Sequence, residues 1–182
     1  LTNAYIGTSS YKAGGGAGGI VGYCNGKVSI SSMNTNISTV YSSNENVGGA
    51  IGYCKGASIT NTSLGTASVT SGGNCKGGFI GKSAGNNAVT FTGSNSIGAI
   101  TMNSAGSYAG MFIGSCEGML TVSGQNATVP NNFTYVGSGD NNYSRIGAIG
   151  GYANGANISG YAFGNITIGS ETNRACNYNG GF

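Results

Sequence analysis

The acidic side chains are the first candidates for chemistry in this chain. Glycan-cleaving enzymes generally use a pair of carboxylates, or a carboxylate together with a base or a metal. The chain has four carboxylates and no histidine: Glu45, Glu117, Asp140 and Glu171. Two of them could converge by stacking of the repeats, but no spacing requires it, and no GxSxG-type nucleophile motif occurs. The sequence therefore predicts that the protein is not an enzyme and has no catalytic residue and no cofactor.

The cysteines favour disulfide chemistry over metal binding. There are five of them: Cys24, Cys54, Cys75, Cys116 and Cys176. No two have the Cys-x-x-Cys spacing of a zinc site, and the chain offers no histidine ligand, so no metal is expected. Because five is odd, one thiol is left free or pairs outside the chain, and Cys176 is our candidate. Disulfides persist in oxidising compartments, so this usage favours an extracellular or cell-surface location.

Asn-x-Ser/Thr sequons offer candidate glycosylation sites, although their number is close to chance for a chain so rich in Asn, Ser and Thr. The sequons begin at Asn36, Asn61, Asn126, Asn132, Asn142, Asn157 and Asn165. Three of them, Asn126, Asn132 and Asn142, fall in a long insertion that we expect to be an exposed loop. The sequence thus predicts a glycoprotein without fixing which asparagine carries the sugar.

A recurring phrase organises the whole chain. It reads Gly-Gly-Ile-Val-Gly-Tyr-Cys-Asn-Gly from Gly18, and related phrases begin at Gly48, Gly77, Gly110 and Gly147, at spacings of 30, 29, 33 and 37 residues. Self-similarity at such a period is typical of a solenoid, in which each unit buries its apolar face against its neighbours. We expect one array over 1–182, part of a longer array or an open-ended filament subunit. The repeats are predicted to span 18–47, 48–76, 77–109, 110–146 and 147–179.

Short apolar patterns within each repeat predict strands. Val89-Thr90-Phe91 and Ile166-Thr167-Ile168 alternate with the period of two of a strand that has one buried face. Gly, Asn, Ser and Thr are poor helix formers, and we expect the glycines to occupy positive-φ turns or corners with no room for a side chain. The sequence predicts an all-β parallel β-helix (β-solenoid) of about five rungs, with one repeat of ~30 residues per rung.

Such a coil stacks equivalent residues of successive repeats. Cys24 and Cys54 would lie on adjacent rungs, about one strand spacing apart and inside the distance range of a disulfide. The alternative is that both are small buried hydrophobic residues. Cys116 would stack on Ser83, so its partner would have to come from elsewhere, and Cys75 is a candidate.

Stacked tyrosines suggest a second use of the surface. Tyr23, Tyr53 and Tyr152 share one repeat position and could stack on sugar rings, although repeated tyrosine more often forms a packing ladder. Regular threonine arrays, as in Thr90-Phe91-Thr92, would suit ice binding, but serines at the equivalent positions of other repeats break the regularity. Both alternatives remain open at this point.

The repeat resembles a known family. The phrase Gly-Gly-hydrophobic-hydrophobic-Gly-Tyr, followed by segments such as 57–61 and 156–160, is similar to the first half of the GLUG-motif repeats. Segments 64–69 and 163–168 are similar to the second half of that motif, and the likeness covers most of the chain from about Gly18 onward. GLUG repeats occur in large secreted or surface proteins, including adhesin-like and IgA-peptidase-type bacterial proteins. The resemblance implies a β-helical stalk and transfers no catalytic site.

Charge and hydropathy restrict the partners. The net charge of +3 comes from seven scattered basic residues, which form no patch for a phosphate backbone, so nucleic acid is not expected. No apolar run approaches the roughly 18 residues of a membrane span. We predict a structural subunit or stalk segment of an extracellular fibre or surface appendage, assembled by head-to-tail solenoid stacking. Its partner would be itself or further repeats of the same chain. The alternative is a carbohydrate-binding adhesin module that takes glycans on its Tyr and Asn columns.

Overall fold

All regular elements in the described part of the protein are β-strands, and none is a helix. The computed structural model describes residues 4–6, 16–42, 46–65, 67–71, 74–103, 107–124, 133–136, 145–160, 165–168 and 178–180. Within these residues there is no helix of the length and hydropathy that a membrane crossing would need.

The strands form three sheets, here called A, B and C, and all the pairings are parallel. Sheet A consists of β1 (Ala4–Ile6), β5 (Ile37–Ser42), β9 (Ala67–Ser71), β13 (Ile100–Asn103), β16 (Phe133–Val136) and β19 (Ile166–Ile168). Sheet B consists of β2 (Gly16–Gly18), β6 (Asn46–Gly48), β10 (Cys75–Gly77), β14 (Tyr108–Gly110), β17 (Arg145–Gly147) and β20 (Tyr178–Gly180). Sheet C consists of β3 (Val21–Tyr23), β4 (Val28–Ser31), β7 (Ile51–Cys54), β8 (Ala57–Thr60), β11 (Ile80–Ser83), β12 (Val89–Thr92), β15 (Ile113–Val122) and β18 (Gly150–Ile158).

Each sequence repeat makes one rung of the coil. Gly18 faces Gly48, Gly48 faces Gly77, Gly77 faces Gly110 and Gly110 faces Gly147, all in parallel register. The same position of successive repeats is therefore joined directly, as four steps that connect five stacked rungs. This register confirms the predicted parallel β-solenoid, in which one repeat forms one rung.

The core fills the inside of the coil. In β4 the side chains of Val28 and Ile30 are buried, whereas Ser29 and Ser31 are exposed, as expected for a strand with one face toward the core. At the centre the rings of Phe79, Phe91 and Phe112 pack against one another, with centroids 4.9 to 5.4 Å apart. Aromatic pairs at such distances add to the stabilisation that comes from burial alone.

Glycine sets the close approach between sheets B and C. A Cβ added to Gly77 would lie 1.7 Å from the carbonyl oxygen of Ile80, and one added to Gly48 would lie 2.0 Å from that of Ile51. Gly85, by contrast, has a φ of +77° in a turn with nothing within 4 Å of an added Cβ. Both predicted uses of glycine, tight corners and positive-φ turns, are confirmed.

Candidate functional site

Tyr23, Tyr53 and Tyr152 lie in one column on the outer face of sheet C, here called the tyrosine ladder. The rings of Tyr23 and Tyr53 stack with centroids 4.7 Å apart and an interplanar angle of 4°. Parallel register extends this column from Tyr53 through Lys82 and Ser115 to Tyr152. The structure thus places the three predicted tyrosines in one column, with two of them in direct contact and the third further along.

Each of these three rings has a neighbouring side chain against it. One face of Tyr53 is covered by Tyr23, and the Arg145 guanidinium lies 5.2 Å from the ring centroid of Tyr152 and 5.6 Å from that of Tyr108. Tyr23 is the more open ring of the stacked pair, with 62% of its surface exposed. A packing ladder describes this geometry better than a row of open platforms for sugar rings.

A charged pair connects the third and fourth repeats beside the ladder. Lys82 Nζ lies 2.9 Å from Glu117 Oε1, and the backbone N–H of Gly85 donates to Glu117 Oε2 at 2.8 Å. The Asn154 amide donates to the backbone carbonyl of Glu117 at 2.6 Å. Lys82 was not predicted as a partner of Glu117, because it stands where other repeats have tyrosine.

Hydrogen bonds shift the pKa values of Glu117 and Lys82 in the directions that keep both groups charged. The Gly85 N–H, and after it the Lys82 ammonium, lower the pKa of Glu117 from its ordinary value. The hydrogen bond to Glu117 raises the pKa of Lys82. Glu117 is thus held ionised by a backbone donor and a cation. Glu45, Asp140 and Glu171 lie outside the described residues.

The cysteines occupy two different sheets. Cys24 and Cys54 follow Tyr23 and Tyr53 on adjacent rungs, where the Cys24 N–H donates to the Tyr53 carbonyl at 3.0 Å. Cys116 faces Ser83, as the sequence predicted, and Ser83 faces Cys54. Cys75 is buried in sheet B.

Of the three cysteines at this repeat position, two have thiols that are shielded from solvent. Cys24, Cys54 and Cys116 carry free thiols, and the last two are fully buried. Burial raises the pKa of the Cys54 thiol to about 11 and raises that of Cys116 as well. The predicted disulfides remain predictions, and Cys176 lies outside the described residues.

Four of the predicted glycosylation sites can be placed. Asn36, Asn61, Asn157 and Asn165 are all exposed. Asn61 has a φ of 47° and its side-chain oxygen accepts a 2.9 Å hydrogen bond from the Ser94 N–H. The other three candidates, Asn126, Asn132 and Asn142, lie outside the described residues. Whether any of them carries a sugar stays a prediction.

Hydroxyl groups line the outer face of sheet C and bond to one another between rungs. The Thr60 and Thr92 hydroxyl oxygens are 2.9 Å apart, and the Thr90 hydroxyl donates to Ser58 at 3.3 Å. Serine and threonine share these columns in register. These contacts connect one rung to the next.

A buried asparagine, which the sequence analysis did not single out, closes the turn after β12. Asn95 is 4% exposed; its side-chain oxygen accepts from the Thr62 N–H at 3.0 Å and its amide donates to the Thr92 carbonyl at 3.0 Å. In the sequence, the position of Asn95 in a turn, one repeat after Thr62, could have pointed to this contact. Asn95 supports the fold and is not part of a surface site.

The free edge of β18 is the most open part of the apolar columns. Ile59, Phe91 and Val122 stack in register and are fully buried, but Ile158, the next residue of that column, is 40% exposed. Ala156 in the same strand is exposed too, whereas its neighbour Leu120 is 1% exposed. Among the described strands β18 pairs with β15 alone. We call Gly150–Ile158 the β18 edge.

The other end of sheet C is partly open. Val21 and Cys24 are half-buried, whereas their neighbours on the next rung, Ile51 and Cys54, are fully buried. Val28 and Ile30 in β4 are buried. Among the described strands β3 pairs with β7 and β4 pairs with β8, each on one side. We call the strands β3 and β4 together the β3–β4 edge.

No family model, no curated protein and no solved structure matches the chain. The resemblance to the GLUG-motif repeats therefore stays a prediction. Within the described residues, no group of three or more His, Cys, Asp or Glu side chains is placed to hold a metal ion. The candidate functional site of this protein is the pair of strand edges at the two ends of sheet C.

Proposed function

We propose that the protein is a structural segment of an extracellular fibre or surface stalk, extended at its strand edges by further β-solenoid rungs. The observation that carries this proposal is the exposure of Ile158, because the three residues below it in the same column are fully buried. An open strand edge with apolar side chains is a template for pairing with another strand. A partner rung would bury Ile158 and satisfy the backbone groups of β18.

The two edges of sheet C suit this kind of growth. All strands run parallel, so the free side of β18 is equivalent to the side on which β3 and β4 pair with β7 and β8. Contacts between unlike ends are heterologous and propagate as a filament. Either a second copy or further repeats of the same chain would supply the next rung.

The extracellular setting is part of the same proposal. It is supported by the resemblance to GLUG repeats of secreted and surface proteins, by five cysteines and by exposed sequons such as Asn36 and Asn157. The charge-poor surface makes polar side chains and attached sugars the natural source of solubility. We keep carbohydrate binding as the competing function, although the stacking of Tyr53 under Tyr23 does not favour it.

A proline at the β18 edge tests the proposal. The Ser159 N–H donates to the Val122 carbonyl at 2.9 Å. Since alternate residues of a strand point their amides to opposite neighbours, the Ala156 and Ile158 amides point away from β15. Proline at 156 therefore removes a donor from the free side and leaves the bonds to β15 in place.

The measurement compares Ala156→Pro with Ala156→Ser by sedimentation velocity and electron microscopy without crosslinker. We expect the wild type and Ala156→Ser to form rods or filaments that lengthen with concentration, whereas Ala156→Pro stays monomeric with an unchanged far-UV circular dichroism spectrum. A wild type that stays monomeric at the highest soluble concentration would refute growth of this chain by its own edges.

A further inference from the structure

Two phenol side chains are direct neighbours in the tyrosine ladder. Tyr23 and Tyr53 occupy the same repeat position on adjacent rungs and pair in parallel register. On the other side of Tyr53 the column continues with Lys82, and then through Ser115 to Tyr152. Along the described part of this column, a tyrosine therefore has another tyrosine beside it only at Tyr23 and Tyr53.

The two rings are placed for a reaction with each other. Their centroids are 4.7 Å apart and their planes differ by 4°. This separation matches the spacing of about 4.8 Å between neighbouring strands. Both side chains therefore extend from sheet C in the same direction, so that the carbons ortho to the two hydroxyl groups lie close together.

The backbone holds this arrangement. The Cys24 N–H donates to the Tyr53 carbonyl at 3.0 Å, and Val21 pairs with Ile51 in the same two strands. Groups held together in this way react without having to meet by diffusion, which strongly favours their reaction with each other. Tyr23 is exposed and Tyr53 is half-buried, so an oxidant in solution can reach the pair.

We propose that Tyr23 and Tyr53 form a site of oxidative cross-linking, where a haem peroxidase and hydrogen peroxide join the two rings as dityrosine. Each phenol gives up one electron and one proton, and the two tyrosyl radicals couple through a new bond between their ortho carbons. The hydrogens on those carbons then move to the phenol oxygens, which restores both aromatic rings. Hydrogen peroxide takes up the two electrons and two protons and becomes two water molecules.

The cross-link would fasten one rung to the next on the outside of the coil. Tyr23 and Tyr53 are one repeat apart, so the new bond closes a loop of that length and restricts the unfolded chain, as a disulfide does. We therefore expect the coupled protein to unfold at a higher urea concentration. The inference does not depend on the proposed function, because both rings belong to one molecule.

A second tyrosine pair provides an internal comparison. The centroids of Tyr108 and Tyr152 are 5.7 Å apart, and their rings are tilted by 52°. These two residues belong to different sheets, and the Arg145 guanidinium lies against both rings. We expect this pair to couple less than Tyr23 and Tyr53 under the same conditions.

The experiment oxidises the full chain in solution. An equal mixture of unlabelled and heavy-nitrogen-labelled Cys24→Ser protein is treated with a haem peroxidase and a limited amount of hydrogen peroxide. Cys24 is replaced because a thiol next to the pair would reduce a tyrosyl radical. Tandem mass spectrometry of the joined tryptic peptides 13–27 and 28–55 locates the bond. It also distinguishes Tyr53 from Tyr41, which lies in sheet A beside Thr70.

We expect a dityrosine between Tyr23 and Tyr53 in which both peptides carry the same isotope, as a bond within one molecule requires. Tyr53→Phe keeps the ring but lacks the phenol, so it should fold, with an unchanged circular dichroism spectrum, and lose this product. Tyr152→Phe should form as much of it as the parent protein.

Three results would overturn the inference. The first is oxidation that produces no dityrosine at Tyr23 and Tyr53. The second is a product in which labelled and unlabelled peptides are mixed at random, because it would show coupling between molecules. The third is an equal yield of dityrosine from Tyr108 and Tyr152, because the parallel stacking would then give no advantage.

Discussion

The rings of Tyr23 and Tyr53 lie parallel at 4.7 Å, so each covers one face of the other. Tyr53 is half-buried between rungs, while Tyr23 remains 62% exposed. Replacing either ring by alanine loses the stacking, worth about 0.5–1.5 kcal/mol, but only Tyr53→Ala also opens a gap inside the column. We therefore expect Tyr53→Ala to lower the free energy of unfolding more than Tyr23→Ala does, as measured by urea denaturation.

The Tyr23→Ala variant also tests the carbohydrate-binding alternative. Binding to a glycan array should be unchanged by Tyr23→Ala if the ladder only packs the rungs together. Loss of glycan binding in a Tyr23→Ala protein with wild-type stability would instead favour the adhesin module.

Glycine to alanine substitution at the narrow contact between sheets B and C should be costly. The Cβ of Gly77→Ala would lie 1.7 Å from the Ile80 carbonyl oxygen, and backbone atoms cannot move aside as a flexible side chain can. We expect a loss of about 3 kcal/mol or more in the free energy of unfolding, at the upper end of what overpacking costs.

Gly26→Ala is the matched control, since the Cys24 sulfur at 3.9 Å is the nearest atom to its added Cβ. We expect a change within about 0.5 kcal/mol for this surface position. Similar urea midpoints for both variants would show that the two sheets approach each other less closely than described.

The ion pair between Lys82 and Glu117 should make stability depend on pH. Because the folded-state pKa of Glu117 is lowered below 4.5, the carboxylate contributes stability above that value and loses it as the pH falls through the folded-state pKa. The two side chains are 30% and 39% exposed, so solvent screens the pair and we expect less than about 1 kcal/mol from it. Glu117→Gln should therefore destabilise slightly at pH 7 and match the wild type in acid.

The check is urea unfolding of both proteins from pH 7 down to pH 2. A deficit of Glu117→Gln that stays constant over this range would mean that the charge of Glu117 is not the cause. Lys82→Gln serves as the partner control and should show the same convergence in acid.

The solenoid could be predicted from the sequence because its repeats can be aligned with one another. Gly18 and Gly48 lie one repeat apart and pair in register, so the spacing of the recurring phrase equals the number of residues in one rung. The cysteine and tyrosine columns followed from the same alignment, which is why Tyr23 was expected on Tyr53 and Cys116 on Ser83.

Contacts between different columns could not be predicted from the alignment of the repeats. Lys82 and Glu117 occupy different repeat positions, and their pairing depends on how far a lysine side chain reaches between rungs. Asn95 likewise bonds to Thr62 of the preceding rung through a turn whose shape no alternation pattern contains.

The thiols of sheet C should differ sharply in reactivity in the reduced protein. The thiolate is the reactive species, and burial raises the pKa of Cys54 to about 11, so very little thiolate exists at pH 8. Cys24 is only half-buried at the β3–β4 edge. We expect iodoacetamide to alkylate Cys24 well before Cys54 and Cys116, with peptide mass spectrometry to follow each site.

Unfolding provides the control, because in 8 M urea all three thiols should react at similar rates. Serine already occupies the same column at Ser83, so Cys54→Ser should fold and leave the Cys24 rate unchanged. Alkylation of Cys54 as fast as Cys24 in the folded protein would contradict the burial of that column. If mild oxidation protects Cys24 in the wild type but not in Cys54→Ser, the predicted Cys24–Cys54 disulfide forms across adjacent rungs.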